Sequence, residues 1–591
     1  MWYNIGMKIS KGIIIAAIVA AGSVFGGSVV KLEGVPGKWQ LTYNGKPYFV
    51  KGAGGDASKE LLAKMGGNSF RTWGADNLKK DFALARKHGL TVTAGFWLGH
   101  AEHGFNYTDA PALAKTEREV LEKVRTFKDD DALLCWALGN EMEMNNPHRK
   151  EMWEFINALA AKVKAIDPNH PVCTVVAEVP DETMREFRDL APNLDFLGIN
   201  SYGGCESLGE RWRAAGMKRP YLVTEFGACG SWEGPKDENG IPVEQTSTEK
   251  GDFFRNSYRK GIAAERGKNC LGSYAFTWGW KVEATPTWHG MLLPDDSILA
   301  SSEAIQEEWG SAPLKNHVPK ISSIEKIDAT TFSATATDAD GDKLKWKWLL
   351  LSDTGDYDTI GLGLAMPDGW DDAIVKGQGT NKVKVQLPGG GVFRLYAYCF
   401  DSKGGAAYAN MALVGKGEAP KRVLKPVKLP FAVYGEKTGP WVPSGYMGNT
   451  RALKVNENCD ENPYKGDTCI RIDYLDHIGW AGIFWQDPAN DWGDKPGGRN
   501  LTGATTLVFR ARGLDGGEVV TFFVGGITDK PYSDTARAEL KDVRLKKEWT
   551  RYRIPLDGLD LSQIKTGFGF TLANDGEPFS FFLDDIKFIE E

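Results

Sequence analysis

Eight short apolar runs, each followed by a helical stretch or a polar loop, occupy the chain from Trp39 to about Trp309, and this alternation restricts the fold more than any other feature. The runs are 48–52, 69–73, 91–98, 133–138, 172–176, 196–199, 221–226 and 271–278, with amphipathic segments such as 57–65, 78–88, 111–127 and 149–166 between them. Strand and helix repeating eight times in about 270 residues is what a parallel (β/α)8 TIM barrel requires. A doubly wound open sheet is the structural alternative, but no Gly-rich dinucleotide fingerprint follows the first run.

A chain of 591 residues exceeds what one core organises, so further domains are expected. After Trp309 the texture changes to alternating polar and apolar residues with Gly and Asp turns, through Lys320–Thr337, Lys343–Leu351, Lys382–Leu387 and Val392–Phe400. That pattern predicts an immunoglobulin-like β-sandwich over 313–415. A Lys- and Pro-bearing linker, 416–430, leads to 431–591, which again reads as all strands. Upstream of the barrel, Lys8 and Lys11 precede an apolar run from Ile13 to about Phe25 and small residues from Ala21 to Ser28. These are the three parts of a secretory signal over 1–30, so the expected location is secreted or periplasmic, with an uncleaved anchor as the rival. The predicted α/β barrel then covers 31–312.

The formal charge of -7 is spread along the chain, which excludes the basic footprint needed to hold nucleic acid. Eight cysteines match no zinc or redox spacing; Cys459 and Cys469 make the best candidate bridge, and Cys205 with Cys229 a second. Eight histidines form no metal-ligand pair, so no cofactor is required. The Asp338–Asp342 turn could hold calcium, although Asp-Gly is first of all a hairpin signal. No protein partner is predicted.

Catalytic groups of such barrels lie just past the carboxyl ends of the strands. The fourth run ends in Gly139-Asn140-Glu141 and the seventh in Thr224-Glu225-Phe226, placing one carboxylate at each rim position. Glycoside cleavage needs such a pair, one acid to protonate the departing oxygen and one carboxylate to attack or support the anomeric carbon. Glu143, two residues beyond Glu141, is the chief rival for the acid role. His100 ends the third run and is a candidate polar contact to sugar, with a structural role as the alternative. Glu178, Glu233 and Glu283 also lie near strand ends, where solvated or supporting roles are the default.

Asn-Glu after strand four and Glu after strand seven resemble clan A glycoside hydrolases, whose members are retaining. The resemblance implies Glu141 as acid/base, Glu225 as nucleophile, Asn140 as a ligand of the sugar 2-hydroxyl and Arg71 as the cation beside the nucleophile. It further implies that Tyr202 donates to the nucleophile and that Trp278 forms the floor beneath the sugar. The segment Asn44–Gly52 is similar to the first strand of several clan members. A barrel followed by an immunoglobulin-like domain resembles glycoside hydrolase family 158, which implies an endo-β-1,3-glucanase acting on a laminarin-type polysaccharide. An endo-β-mannanase, another β-glucanase, a β-glucan transglycosylase and a non-catalytic glycan-binding protein are the alternatives. The ending Phe581–Phe588 resembles the last strand of jelly-roll carbohydrate-binding modules, in which an acidic residue, here Asp585, often helps hold a structural calcium; a sandwich that only packs against the barrel is the other reading.

Overall fold

The computed structural model describes residues 27–310, 314–357, 366–420, 424–435, 439–574 and 576–591. The leader-like residues 1–26 and linker positions 421–423 lie outside them.

Eight parallel strands close into a barrel in sequential order: β1 Val50–Gly54, β2 Ser69–Arg71, β3 Thr91–Phe96, β4 Leu133–Asn140, β5 Val172–Ala177, β6 Phe196–Asn200, β7 Tyr221–Phe226 and β8 Cys270–Phe276. Covered on the outside by helices and on the inside by one another, these strands are buried almost end to end, which explains why they read as continuous apolar runs. The helix Arg149–Ile166 shows how the outer layer is written. Met152, Ile156, Leu159, Ala160 and Val163 recur at helical spacing and are buried, while its charged residues face outward. The helix Ser247–Ser257 begins with a reciprocal cap in which Thr246 and Glu249 satisfy each other's backbone N–H groups.

Inside the barrel, Tyr274 donates to or accepts from Ser69 (2.7 Å) and Thr93 (2.6 Å), so the interior is a filled, hydrogen-bonded plug. Gly52 makes room for it, since a Cβ there would stand 2.4 Å from the Tyr274 ring. A three-stranded antiparallel sheet, Val30–Val35, Lys38–Tyr43 and Lys46–Tyr48, closes the amino-terminal mouth. Tyr48 therefore belongs to this cap, and the first barrel strand starts at Val50. Residues 28–30, grouped by sequence with the leader, are also part of this end. Ser28 bonds the Leu133 carbonyl (2.7 Å) and His170 (2.9 Å), and His170 bonds Asp167 (2.8 Å). Serine, histidine and aspartate here have the bonding order of a hydrolytic triad, but all three are buried at the closed end and serve to anchor the chain.

The second domain packs a sheet of Lys345–Ser352, Gly391–Phe400 and Ala406–Gly415 against four short strands, of which Thr331–Ser333 and Lys382–Val385 are central. The strand Ala406–Gly415 was not foreseen from sequence. The third domain is a sandwich of a six-stranded and a five-stranded antiparallel sheet, closed by Phe579–Ile589. The molecule is thus a TIM barrel followed by two β-sandwiches. Among the described residues no helix is long and apolar enough to cross a membrane.

All eight cysteines are free thiols. Cys459 and Cys469 face each other across an antiparallel pair of strands, whereas Cys205 is buried and Cys229 partly exposed, and they do not pair. Asp585 does not present an open carboxylate to calcium, because Lys587 donates to both of its oxygens at 3.0 and 2.8 Å. The Asp338, Asp340 and Asp342 carboxylates lie within 4.8 Å of one another, but Lys403 pairs with Asp342 and Asp338 caps the turn by accepting from the Asp340 and Asp342 N–H groups.

Truncating Ile156, which is fully buried between barrel and helix, should remove about 2–5 kcal/mol of stability. Guanidinium unfolding of Ile156→Ala against the wild type measures this, and a loss below about 1 kcal/mol would contradict the packing described.

Candidate active site

The carboxyl ends of β2, β4, β6 and β7 meet around one buried guanidinium. Arg71 donates to Glu225 Oε1 (3.1 Å), the Thr224 carbonyl (2.8 Å), Asn200 Oδ1 (3.2 Å) and Asn140 Oδ1 (2.9 Å). It is 3% exposed, so these contacts replace water rather than compete with it. Asn200 in turn donates to Glu141 Oε1 (2.6 Å) and Asn140 Oδ1 (3.1 Å), and accepts from the Thr224 hydroxyl (2.8 Å). Glu141 and Glu225 are therefore brought into one mouth and bridged through an amide and a guanidinium.

Local backbone irregularity aims both carboxylates. The register of β4 against β5 shifts between Ala137 and Asn140, Gly139 takes φ +86°, and Glu141 itself takes φ 56°. The positive φ of Gly139 is a backbone conformation that side chains rarely adopt, so glycine suits the turn, and a Cβ there would also displace the Met142 thioether. A non-glycine residue in the left-handed region costs on the order of 1 kcal/mol and is retained only where surrounding structure enforces it. Here the Glu141 N–H bonds the Val175 carbonyl at 2.8 Å. A similar register shift next to Glu225 turns it from the wall of β7 into the mouth.

The two acids live in different surroundings. Glu225 receives Arg71, the Trp73 indole N–H (2.9 Å) and the Tyr202 hydroxyl (2.7 Å), so its negative charge is matched from three sides. Glu141 has one amide donor, and burial, with the charge of Glu225 added, pushes its pKa up to about 8. Glu143 is also raised, to about 7, by burial, but it takes no part in this network. Its carboxylate accepts from the Ala177 N–H (2.7 Å) and ties β4 to β5.

The remaining candidates sort by contact. Asn140 uses its oxygen on Arg71 and Asn200, and among the described residues no hydrogen bond engages its amide nitrogen, which is the group left to donate. His100 is 8% exposed and lies beneath Trp97, ring on ring at 4.8 Å and 16°, so Trp97 presents the outward surface instead. Trp278 does not form the floor: it is 1% exposed, its indole donates to the Ser58 carbonyl (3.1 Å), and its backbone N–H bonds the Gly54 carbonyl (2.7 Å). Two positions earlier, at the end of β8, Phe276 turns edge-on to Trp73 (5.9 Å) and Tyr202 (6.2 Å) and lines the site. The resemblance to the clan had implied Trp278 for that place. Trp73 and Asn200 were also missed as site residues; each follows or ends a barrel strand beside a chosen residue, and that position was the available signal. Glu233 accepts from the Gly203 and Gly230 N–H groups and Glu178 pairs with Arg211. Glu283 is buried beside Lys281.

Residues 56–252 match the family model described as Glycosyl hydrolases family 2, TIM barrel domain, and residues 431–590 match Carbohydrate binding domain 30. Together with the closed barrel and its appended sandwiches, these matches support a clan A glycoside hydrolase carrying a C-terminal carbohydrate-binding-module-like domain. Among curated relatives, mannan endo-1,4-beta-mannosidase F of Aspergillus clavatus is 27% identical over 210 residues, 28% of this chain and 48% of that protein. The chain thus spans about half the length of that relative. Among solved structures, the β-glucuronidase of Ruminococcus gnavus aligns with 16% identity and a TM-score of 0.39, over 48% of this chain and 53% of that one. The Bifidobacterium dentium β-glucuronidase aligns with 18% identity and a TM-score of 0.37, over 48% and 49%.

An acid whose folded pKa is above its unfolded value binds more protons when folded between the two values, so it erodes stability as pH rises through that window. For Glu141 the window runs from its ordinary 4.5 to about 8. Glu141→Gln should therefore melt above the wild type at pH 8, with the gap shrinking at pH 5. A gap of equal size at both pH values in differential scanning calorimetry would remove the basis for the raised acid.

Proposed function

We propose that this protein is a secreted, retaining β-glycoside hydrolase that cleaves a β-linked polysaccharide internally by double displacement. The observation that carries this reading is the pair Glu141 and Glu225, bridged by Asn200 and Arg71 at one barrel mouth but held in opposite electrostatic settings. In the first step Glu225 attacks the anomeric carbon while Glu141 passes its proton to the departing glycosidic oxygen. In the second, Glu141 takes a proton from water, whose oxygen displaces Glu225 and restores both groups. Asn140, through its amide nitrogen, is placed to bond the 2-hydroxyl, and Phe276 to back the sugar. Sugar entering in place of water at the second step would make the same site a transglycosylase.

Internal cleavage is favoured by aromatic surface on both sides of the acids. Trp97, after β3, is 54% exposed; Trp232 and Trp280, after β7 and β8 across the mouth, are 45% and 37% exposed. Flat rings flanking the cleavage point suit a chain that runs through rather than one that ends there. The barrel followed by an immunoglobulin-like domain supports β-1,3-glucan as the substrate, and the sequence similarity to the Aspergillus clavatus mannosidase supports β-1,4-mannan as the second reading. Product analysis on laminarin, mixed-linkage glucan, mannan, xylan and galactan separates them. Oligomers from laminarin alone favour the first and from mannan alone the second, whereas silence on all five would favour a glycan-binding protein without turnover. The charged, apolar and small-residue beginning of the chain supports export to where such polymers occur.

Glu225→Ala should lower kcat by about three orders of magnitude or more with the fold intact. Glu141→Ala should lose far less on aryl glycosides with good leaving groups, and azide should restore turnover by yielding the β-glycosyl azide. An α-azide product, or wild-type activity in either variant, would end the retaining assignment.

The five-stranded sheet of the C-terminal sandwich exposes Trp480 (51%), with Trp492 (38%) tilted against Phe484 at 5.2 Å on the same side. As a sugar-binding platform this surface should lose about tenfold in affinity for insoluble polysaccharide on Trp480→Ala, since one stacked ring contributes on the order of 1–2 kcal/mol. Unchanged depletion from suspension would reduce the sandwich to a spacer.

A further inference from the structure

A densely bonded buried polar cluster lies between the barrel and the immunoglobulin-like domain, and the mechanism above does not use it. The three N–H groups of Lys250, on the helix Ser247–Ser257, are shared among four acceptors: Glu244 (2.6 Å), the carbonyls of Thr287 (2.9 Å) and Trp288 (2.7 Å), and the Tyr408 hydroxyl (2.9 Å). Tyr408, on Ala406–Gly415, also donates to the Thr287 carbonyl (2.7 Å). Asn410, on the same strand, donates to Glu244 (2.6 Å), which accepts from Thr285 (2.6 Å) as well. Arg394, on Gly391–Phe400, completes the cluster by bonding Asn410 (3.0 Å) and Asp353 (2.8 Å). The side chains of Lys250, Glu244 and Arg394 are 4%, 0% and 2% exposed, so the cluster is closed to water and its charges are matched by the groups around them.

On the barrel side the cluster grips both the segment after β7, where Arg394 bonds the Pro242 carbonyl (3.3 Å) and the Tyr408 N–H the Ser247 hydroxyl (3.0 Å), and the loop after β8. Thr285, Thr287 and Trp288 are held directly, and the Trp288 indole donates to the Cys229 carbonyl (2.8 Å) in the segment after β7. The next residue is His289. Its ring packs 5.6 Å from Tyr202 and 5.6 Å from Phe276. Neither ring nitrogen has a hydrogen-bond partner among the described residues, Nε2 lies 3.8 Å from Glu283 Oε1, and the His289 carbonyl receives the Thr277 N–H at 3.0 Å. Tyr202 in turn donates to Glu225 Oε2 at 2.7 Å. A second contact runs the same way, from Thr354 to the Ala284 carbonyl (2.5 Å) and from Ser231 to the Tyr357 carbonyl (2.8 Å).

We propose that the immunoglobulin-like domain is a working part of the active site, in which Tyr408 and Asn410 are positioning residues that fix the loop after β8 and, through His289, hold Tyr202 on Glu225. The inference builds on the hydrolase reading. It makes the second domain more than a spacer: the nucleophile's hydrogen bond is set from a different domain of the chain.

The test uses the full-length protein with Tyr408→Phe, which keeps the ring and leaves Lys250 its other three acceptors. On an aryl β-glycoside, kcat should fall about five- to tenfold with KM within about twofold, as expected when a reacting group is displaced without loss of binding. In a Tyr202→Phe background the same change should cost less than about twofold, because the contact it maintains is already gone. Equal losses in both backgrounds, or no loss in either, would overturn the proposal. A measurement independent of turnover is the 1H–15N resonance of the Trp73 indole, which donates to Glu225. It should move in Tyr408→Phe, and an unmoved resonance also overturns the proposal. Asn410→Ser, read by the same two measurements, serves if Tyr408→Phe does not fold. A wild type silent on every β-glycoside would sink the hydrolase reading, while the indole resonance would still decide this one.

Discussion

Arg71 is the interaction on which the site depends. Its guanidinium reaches β4, β6 and β7 from β2, bonding Asn140, Asn200, Thr224 and Glu225, and it does so where water is excluded. A buried cation of this kind is tolerable only because each neighbouring strand end turns an oxygen toward it. The same requirement keeps those strand ends in register, so the arginine is at once part of the chemistry and part of what closes the barrel mouth. The positive φ of Glu141 and the register shifts beside Glu141 and Glu225 are held against a network that leaves them little freedom.

Two carboxyl groups in one mouth would be interchangeable if their surroundings were alike. Arg71, Trp73 and Tyr202 all face Glu225, whereas burial and the charge of Glu225 act on Glu141. The division of labour follows from this asymmetry rather than from the residue type. Glu143 makes the point by contrast: equally buried and also raised, it is engaged in joining two strands and lies apart from the donors that define the pair.

Much of the fold was legible because barrel strands buried on both faces have an unmistakable composition, and helices such as Arg149–Ile166 carry an apolar stripe. Glu141, Glu225, Arg71 and Tyr202 could be chosen because each stands at or just past the end of such a run. Trp278 was a poorer choice because the loop past β8 buries it against Ser58 and Gly54, and Phe276, the last residue of the strand, lines the site. Asp585 suggested a cation until Lys587 was found across both of its oxygens. His100, suggested as a sugar contact, stacks on Trp97 and keeps a buried Nε2 with no hydrogen-bond partner among the described residues.

What the sequence by itself determined is the periodicity of the elements and the chemistry available at their ends: eight strand–helix repeats, two acids, an arginine and a surplus of aromatic rings. Those properties are local, since burial pattern and residue type are written within a few positions of one another. Which groups touch was decided only by the tertiary structure. Asn200 bridging Glu141 to the Arg71 network, Trp73 on Glu225 and Tyr408 reaching Thr287 are contacts between residues about 60 to 150 positions apart, created when the barrel closes and the second domain packs on it. Closure and packing depend on the sum of all the contacts, so no short stretch of sequence records them.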